Sequence, residues 1–152
     1  MGLDQYLYKK HYIGAQYEHN NVTGVIEIKK DGKSVDINFK KVSYITEEAF
    51  YWRKANQIHQ WFVENVQDGE DDCKEYDVSI EQLKQLYYLC VEVLDDHTKA
   101  EQLLPTSTGF FFGSNEYNEW YFQDIQNTKD FLETIIDEES NFDSYYTYSS
   151  SW

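Results

Sequence analysis

The sequence predicts an α+β fold in which a small antiparallel sheet is packed by about three helices. Alternating apolar and polar residues occur in the first third of the chain, and apolar residues at helical spacing follow in the remainder. With 152 residues, the chain is long enough to bury a core without disulfides or metals. We therefore expect a single α+β domain over residues 1–139.

The strand signals are strongest near the N-terminus. Residues 3–9 are rich in tyrosine and alternate loosely, which predicts a first strand. Two alternating runs flank Asp31-Gly32, a pair favoured in tight hairpin turns because both positions accept a positive φ. We expect this hairpin to bury one apolar face, and we expect shorter strands at residues 42–45 and 75–78.

Three helices are expected to cover the sheet. The first spans residues 47–66, with Thr46 as its N-cap and two glutamates in its first turn. The second spans residues 80–94 and begins with a capping box at Ser79. The third spans residues 115–137, after an aromatic segment that contains glycine and the only proline.

The end of the chain differs in composition from the rest. The final segment, NFDSYYTYSSSW, contains serine and tyrosine but no aliphatic residue. Such a segment has little aliphatic surface to contribute to a core. We expect residues 140–152 to be a flexible tail unless a partner or a groove captures them.

Charge is divided unevenly along the chain, whose net charge is -15. Residues 1–54 carry nine Lys or Arg against seven Asp or Glu, a net +2, whereas residues 55–152 carry four against twenty-one, a net -17. A surface this acidic repels polyanions, so direct binding to nucleic acid or to an anionic membrane is not expected. A basic or nucleic-acid-binding protein is the expected kind of partner.

Cysteine usage and hydropathy indicate the compartment. Cys73 and Cys90 lie far apart and do not form a disulfide framework or a metal-ligand pair. No apolar run approaches the roughly 20 residues of a membrane span, and the N-terminus lacks the order of a signal peptide. We expect a cytoplasmic protein.

The stretch YWRKANQIHQWF, residues 51–62, is the first candidate for a functional surface. Trp52, Asn56 and His59 share one shoulder of the expected helix, where they form either a small ligand cleft or ordinary packing with satisfied backbone groups. Arg53 lies on the polar side. It is either an anion anchor, because guanidinium binds phosphate bidentately, or the partner of a nearby carboxylate.

The loop QDGEDDCKEYD is the second candidate, as an acidic partner-binding face. No register of it matches the ligand order of an EF-hand, so calcium binding is not expected. Its carboxylates are either simply solvated or part of a surface that imitates a nucleic-acid backbone. They belong to Asp68, Glu70, Asp71, Asp72, Glu75 and Asp77.

The segment GFFFGSNEYNEWYF, residues 109–122, is the third candidate because one strand and one helix start cannot bury all its aromatic rings. The remaining aromatic rings belong to further core packing, to a homodimer seam or to a base-stacking pocket for a nucleotide. In the last case the site includes Phe111, Ser114, Tyr117 and Trp120, with free N–H groups near Ser114 for a phosphate.

Motifs that would indicate catalysis or a bound metal do not occur. The four histidines lack metal-ligand spacing, and neither a Gly-rich phosphate loop nor a nucleophile elbow is present. We therefore expect no cofactor, no metal and no catalytic residue, which favours a binding protein over an enzyme.

Three blocks of the sequence resemble a known family. MGLDQYLYKK, YWRKANQIHQWFVENVQDGEDDCKEY and LLPTSTGFFFGSNEYNEWYFQDI are similar to recurring blocks of small, functionally uncharacterised proteins encoded by phages and prophages. The resemblance covers roughly residues 1–137 and brings no established activity. It implies a phage accessory protein, a class that often acts by binding host or rival machinery.

These observations predict a non-enzymatic phage protein that binds and inhibits a host protein, with an anti-phage defence protein as one candidate target. The acidic face would act as a nucleic-acid mimic. The alternatives are a binder that sequesters a nucleotide-type defence signal and a small enzyme acting on such a ligand.

Overall fold

The computed structural model describes residues 2–14, 27–138 and 144–152. Its main sheet is antiparallel with four strands, and a separate hairpin has two more. The strands are β1 Asp4–Tyr12, β2 Lys29–Lys30, β3 Lys33–Ser34, β4 Tyr44–Arg53, β5 Tyr76–Val78 and β6 Ser144–Ser151. The main sheet has the order β4-β1-β6-β5. Helices complete an α+β arrangement, which confirms the predicted fold class.

The α-helices are α1 Asn56–Asn65, α2 Ile80–Asp95, α3 Ala100–Leu103 and α4 Glu119–Glu133. The capping box predicted for α2 is present: Ser79 Oγ accepts from the Gln82 N–H at 3.1 Å, and Gln82 Oε1 accepts from the Ser79 N–H at 2.9 Å. α4 begins later than predicted because Asn118 caps it, accepting the N–H groups of Trp120 and Tyr121.

The predicted helix over residues 47–66 is wrong in its first half, which belongs to strand β4. Trp52 points into the core and is 3% exposed, whereas the adjacent Tyr51 points outward and is 41% exposed. This two-residue period belongs to a strand, and aromatic and β-branched residues favour strands. The same aromatics also fall at helical spacing, so the period was ambiguous from sequence.

The tail expected to be flexible contains an interior strand. β6 pairs with β1 on one side and with β5 on the other. Tyr148 is fully buried, and its ring stacks on Phe62 with the ring centroids 3.8 Å apart. Tyrosine is a strong strand former, and distant strands supply the hydrogen bonds that the local composition did not reveal. Residues 140–143 lie outside the described part of the chain.

The hairpin turn at Asp31-Gly32 is confirmed, with φ of 53° and 75° at its two residues. Its expected buried face is not part of the main core: Ile28, Val35 and Ile37 are each more than 40% exposed. They line a shallow apolar cleft of about 110 Å³ beside the ends of β1 and β4.

The core lies between the helices and one face of the main sheet. β1 contributes Leu7, α1 contributes Ile58 and Phe62, and α4 contributes Ile125 and Leu132, all fully buried. Among the described residues, no helix is long and apolar enough to cross a membrane. One face of the main sheet packs against this core. The opposite face is not covered by the helices named above.

Candidate functional site

A cleft of about 250 Å³ lies where the end of β4, the start of α1 and the start of α4 meet. Three of the predicted ligand-binding residues, Arg53, Ser114 and Trp120, line it. Residues 53 and 120 are far apart in sequence, and the fold brings them together. This cleft is the candidate site.

A tight turn between β4 and α1 shapes one wall of the cleft. Lys54 has a φ of 60°, in the left-handed region that few non-glycine residues adopt. Its N–H donates to Leu3 O at 2.8 Å, which holds the turn against the start of the chain. Gly113, with a φ of 90°, packs on this turn, and a Cβ at position 113 would lie 3.1 Å from the Lys54 Cβ. Glycine therefore lets the aromatic loop approach the turn.

Asn56 holds the aromatic loop in place. Its Nδ2 donates to Phe112 O at 3.0 Å and to Ser114 O at 2.9 Å, and its Oδ1 accepts from the Ser107 N–H at 3.0 Å. The side chain is 1% exposed, so its amide is fully occupied in the interior. Asn56 thus positions the cleft wall and does not line the cleft.

Trp52 and His59 also lie in the interior. Trp52 Nε1 donates to Thr128 Oγ1 at 2.8 Å. His59 lies between two oxygens, with Nδ1 2.8 Å from Tyr148 Oη and Nε2 2.9 Å from Asp71 Oδ2. Trp52, Asn56 and His59 therefore do not form the open shoulder considered from the sequence; packing and hydrogen bonding account for all three.

A chain of hydrogen bonds extends from His59 through Tyr148 to Gln5. Gln5 Nε2 donates to Ala55 O at 3.0 Å, which leaves Gln5 Oε1 to accept from the Tyr148 hydroxyl at 3.0 Å. The Tyr148 hydroxyl therefore contacts both Gln5 Oε1 and His59 Nδ1, and His59 Nε2 lies 2.9 Å from Asp71 Oδ2. This chain of hydrogen bonds, the Gln5–Asp71 network, connects β1, α1, β6 and the acidic loop.

Phe111 and Tyr117 lie beside the cleft without lining it. The Phe111 carbonyl accepts from the Leu3 N–H at 3.1 Å, so the loop is bound to the start of the chain. The Tyr117 hydroxyl accepts from the Thr106 N–H at 3.3 Å. Trp120, by contrast, is 71% exposed and presents a free ring surface to the cleft.

Three of the six carboxylates in the predicted acidic face make contacts within the protein: Asp71 and Glu75 bind residues outside the loop, and Asp72 binds residues of the loop itself. Asp71 accepts from His59 and from Trp152 Nε1, the latter at 3.1 Å. Glu75 pairs with Lys10. Asp72 accepts from Lys74 and from the Tyr76 hydroxyl, and the Lys74 hydrogen bond lowers its pKa.

The remaining three carboxylates, Asp68, Glu70 and Asp77, are exposed. None makes a side-chain hydrogen bond or ion pair with another residue in the described ranges. A partner that binds this loop would therefore meet these three first. Within the same ranges, no group of three or more His, Cys, Asp or Glu could hold a metal ion.

Sequence reasoning missed other residues of the cleft, notably Gln57 and Asp124. One signal was available: Trp120 and Asp124 are four residues apart and share a helix face. Asp124 is half-buried, and burial raises its pKa to about 6, while a hydrogen bond from the Gln57 side chain works in the opposite direction.

Replacing Asp124 with asparagine is expected to stabilise the protein at pH 7. The pKa of Asp124 is higher in the folded protein than in the unfolded chain, so the folded state binds the proton more tightly. Its contribution to stability is therefore fully present below about pH 4 and is lost as the pH rises through about 6. After allowance for solvent screening, the gain in Asp124→Asn should be about 1 kcal/mol.

Urea unfolding of both proteins at pH 4 and pH 7 measures this effect. The gain should be present at pH 7 and close to zero at pH 4, and Asp130→Asn on the exposed side of α4 is the matched control. An equal gain in stability at both pH values would contradict the raised pKa of Asp124.

Similarity to known proteins does not assign a function to the cleft. No family model matches the sequence, and neither a curated protein nor a solved structure matches it. A function for this chain has to be argued from its own residues.

Proposed function

We propose that this chain is a non-enzymatic phage accessory protein that acts in the host cytoplasm by binding and inhibiting a basic host protein. A nucleic-acid-binding protein of anti-phage defence is the first target to test. The observation that carries the proposal is the net charge of -17 in residues 55–152. Such a surface attracts basic partners and competes with nucleic acid for the same cationic groups.

Residues 55–152 contain only four lysines against twenty-one Asp or Glu, so cations of this part offset little of its negative charge. Three of its four lysines already pair with carboxylates of the same part of the chain. These pairs are Lys74 with Asp72, Lys99 with Glu92, and Lys129 with Glu133. Asp68, Glu70 and Asp77 face solvent, and long-range attraction to such carboxylates would raise the association rate with a basic surface.

Reversing Asp68, Glu70 and Asp77 to lysine is expected to weaken binding to such a partner about tenfold or more. The reason is that three charge interactions at the rim of the interface would be lost. The partner would be identified by capture from host lysate, and its affinity would then be measured with the purified proteins at several salt concentrations. Affinity of the unmodified protein should fall steeply with salt.

The control is Asp36→Lys, which reverses one exposed carboxylate on the hairpin part of the chain and so gives the effect of a single charge reversal outside the loop. Asp71, Asp72 and Glu75 are unsuitable for the test because their reversal would break contacts within the protein. Unchanged affinity in the triple variant would rule out mimicry by this loop.

A second candidate function is binding of a nucleotide-type ligand, because Arg53, Ser114 and Trp120 share one cleft. The exposed Trp120 ring could stack on a base. Arg53 and Lys54 could approach a phosphate. Asp124 on the same wall would repel a phosphate when ionised.

A thermal-shift panel of mono-, di- and cyclic nucleotides tests this second function. One nucleotide should raise Tm, and Arg53→Gln or Trp120→Ala should abolish the rise, while Lys84→Gln on α2 should not. A flat panel would remove the proposal. Conversion of the added nucleotide to a product would instead indicate an enzyme acting on such a ligand.

A further inference from the structure

The face of the main sheet that points away from the core carries a set of tyrosines, which we call the tyrosine face. β1 alternates between the buried Gln5 and Leu7 on one face and Tyr6 and Tyr8 on the other. Strands β4 and β6, on either side of β1, add more rings to the same face. The tyrosine face consists of Tyr6, Tyr8, Tyr12, Tyr44, Tyr51 and Tyr145.

The rings form two clusters, one at each end of the face. Tyr6 lies 5.8 Å from Tyr8 and 5.3 Å from Tyr51 between ring centroids. At the other end, Tyr44 lies 5.2 Å from Tyr12 and 6.3 Å from Tyr145.

Three tyrosines of the tyrosine face are exposed to solvent. Tyr44, Tyr51 and Tyr145 are 47%, 41% and 37% exposed. Thr147, in the middle of the face, is 1% exposed, so the surrounding side chains enclose the smaller residue. Clusters of partly exposed aromatic rings on one face are typical of interaction sites.

Charge around the tyrosine face selects the kind of partner. Two cations, Lys10 and Arg53, lie among four carboxylates, and Lys10 is already paired with one of them. The Tyr51 hydroxyl donates to Asp4, and Glu48 raises the pKa of Tyr8, second to burial. The carboxylates are those of Asp4, Glu48, Glu75 and Asp77. The surface is thus aromatic with a net negative charge.

This combination fits arginine. A guanidinium group stacks on an aromatic ring and at the same time donates two hydrogen bonds to a carboxylate, whereas lysine offers a compact, strongly hydrated charge. Tyrosine rings also lose little conformational entropy on binding, which is why they are common in protein interfaces. Base stacking on such a sheet is disfavoured by the net charge of -15.

We propose that the tyrosine face is the surface that docks the basic partner protein, and that it selects arginine over lysine. This inference rests on the proposed function and adds to it the surface and the partner's chemistry. The acidic loop and helices then attract the partner at long range, and the tyrosine face makes the close contacts.

Two peptides of equal charge test the inference: one with six Gly-Arg repeats and one with six Gly-Lys repeats. Their affinities for the full chain would be measured by calorimetry at low salt. The arginine peptide should bind about tenfold more tightly, since each exposed stacking contact changes affinity by roughly two- to fivefold. The triple variant Tyr44→Thr, Tyr51→Thr and Tyr145→Thr should bind both peptides equally.

Threonine is chosen because it retains strand propensity. The matched control is Tyr88→Ala, which removes a tyrosine that is 60% exposed on α2 and should keep the preference for arginine. If the triple variant fails to fold, amide chemical shifts of the unmodified protein decide instead: shifts along β1, β4 and β6 support the inference, and shifts confined to the acidic loop overturn it.

The possible failures differ from one another. Equal, salt-sensitive binding of both peptides by the unmodified protein would overturn the role of the tyrosine face and leave the acidic binding function standing. If the unmodified protein binds neither peptide, the result would contradict both the acidic binding function and the role of the tyrosine face. Self-association in sedimentation experiments that disappears in the triple variant would assign the face to a second copy of the chain and overturn the arginine proposal.

Discussion

Deleting residues 144–152 is expected to unfold the protein. β6 lies between β1 and β5, so its removal leaves both strands without a partner on that side. The deletion also removes Tyr146 and Tyr148, which are 4% and 0% exposed. Loss of one buried aromatic side chain costs about 3–5 kcal/mol, so two such losses approach the roughly 5–15 kcal/mol that stabilises a typical domain.

Far-UV circular dichroism and urea titration would measure this effect. The shortened chain should lose its cooperative transition. Deletion of Trp152 alone is the control, because it removes a half-exposed side chain with its hydrogen bond to Asp71 and its ring contact with Phe112; it should cost about 1 kcal/mol. A cooperative transition at the original midpoint after the longer deletion would show that β6 does not contribute to the core.

Replacing Tyr148 with phenylalanine is expected to destabilise the protein by about 2–3 kcal/mol. The ring stays stacked on Phe62, so packing is preserved. The lost hydroxyl leaves Gln5 Oε1 without a donor and His59 Nδ1 without its hydrogen-bond partner in the interior. Unsatisfied buried polar groups retain their full desolvation cost, which is why the loss exceeds that of an ordinary hydrogen bond.

The matched control is Tyr146→Phe on the same strand. Its hydroxyl donates to Glu138 Oε2 at 2.9 Å, but that carboxylate is part-exposed and also pairs with Lys9, so the expected loss is about 1 kcal/mol or less. Urea midpoints of the two variants provide the comparison. Equal midpoints would contradict a special contribution of the Gln5–Asp71 network.

Elements with local signals were predictable. The turn at Asp31-Gly32 follows from the backbone freedom of two adjacent residues, and the start of α2 follows from the reciprocal hydrogen bonds of Ser79 and Gln82. Both depend on contacts within four residues. A sequence contains such information directly.

The candidate site was predictable only in part. Arg53, Ser114 and Trp120 were recognised by residue type, and the structure places them in one cleft. Asn56 and His59 have equally suitable chemistry, yet both are 1% exposed and hydrogen-bonded within the protein. Residue type indicates what a side chain can bind, but burial decides whether a ligand can reach it.

Local sequence patterns were sufficient to predict the α+β class, the turn at Asp31-Gly32, the cap at Ser79 and the uneven division of charge. Tertiary structure decided that residues 44–53 are a strand, that the serine and tyrosine segment is an interior strand, and that tyrosines from three strands form one face. The reason is that the strands paired in this sheet lie far apart in the sequence. β1 pairs Leu7 with Tyr148, so the stability of each strand depends on partners that its own neighbouring residues do not disclose.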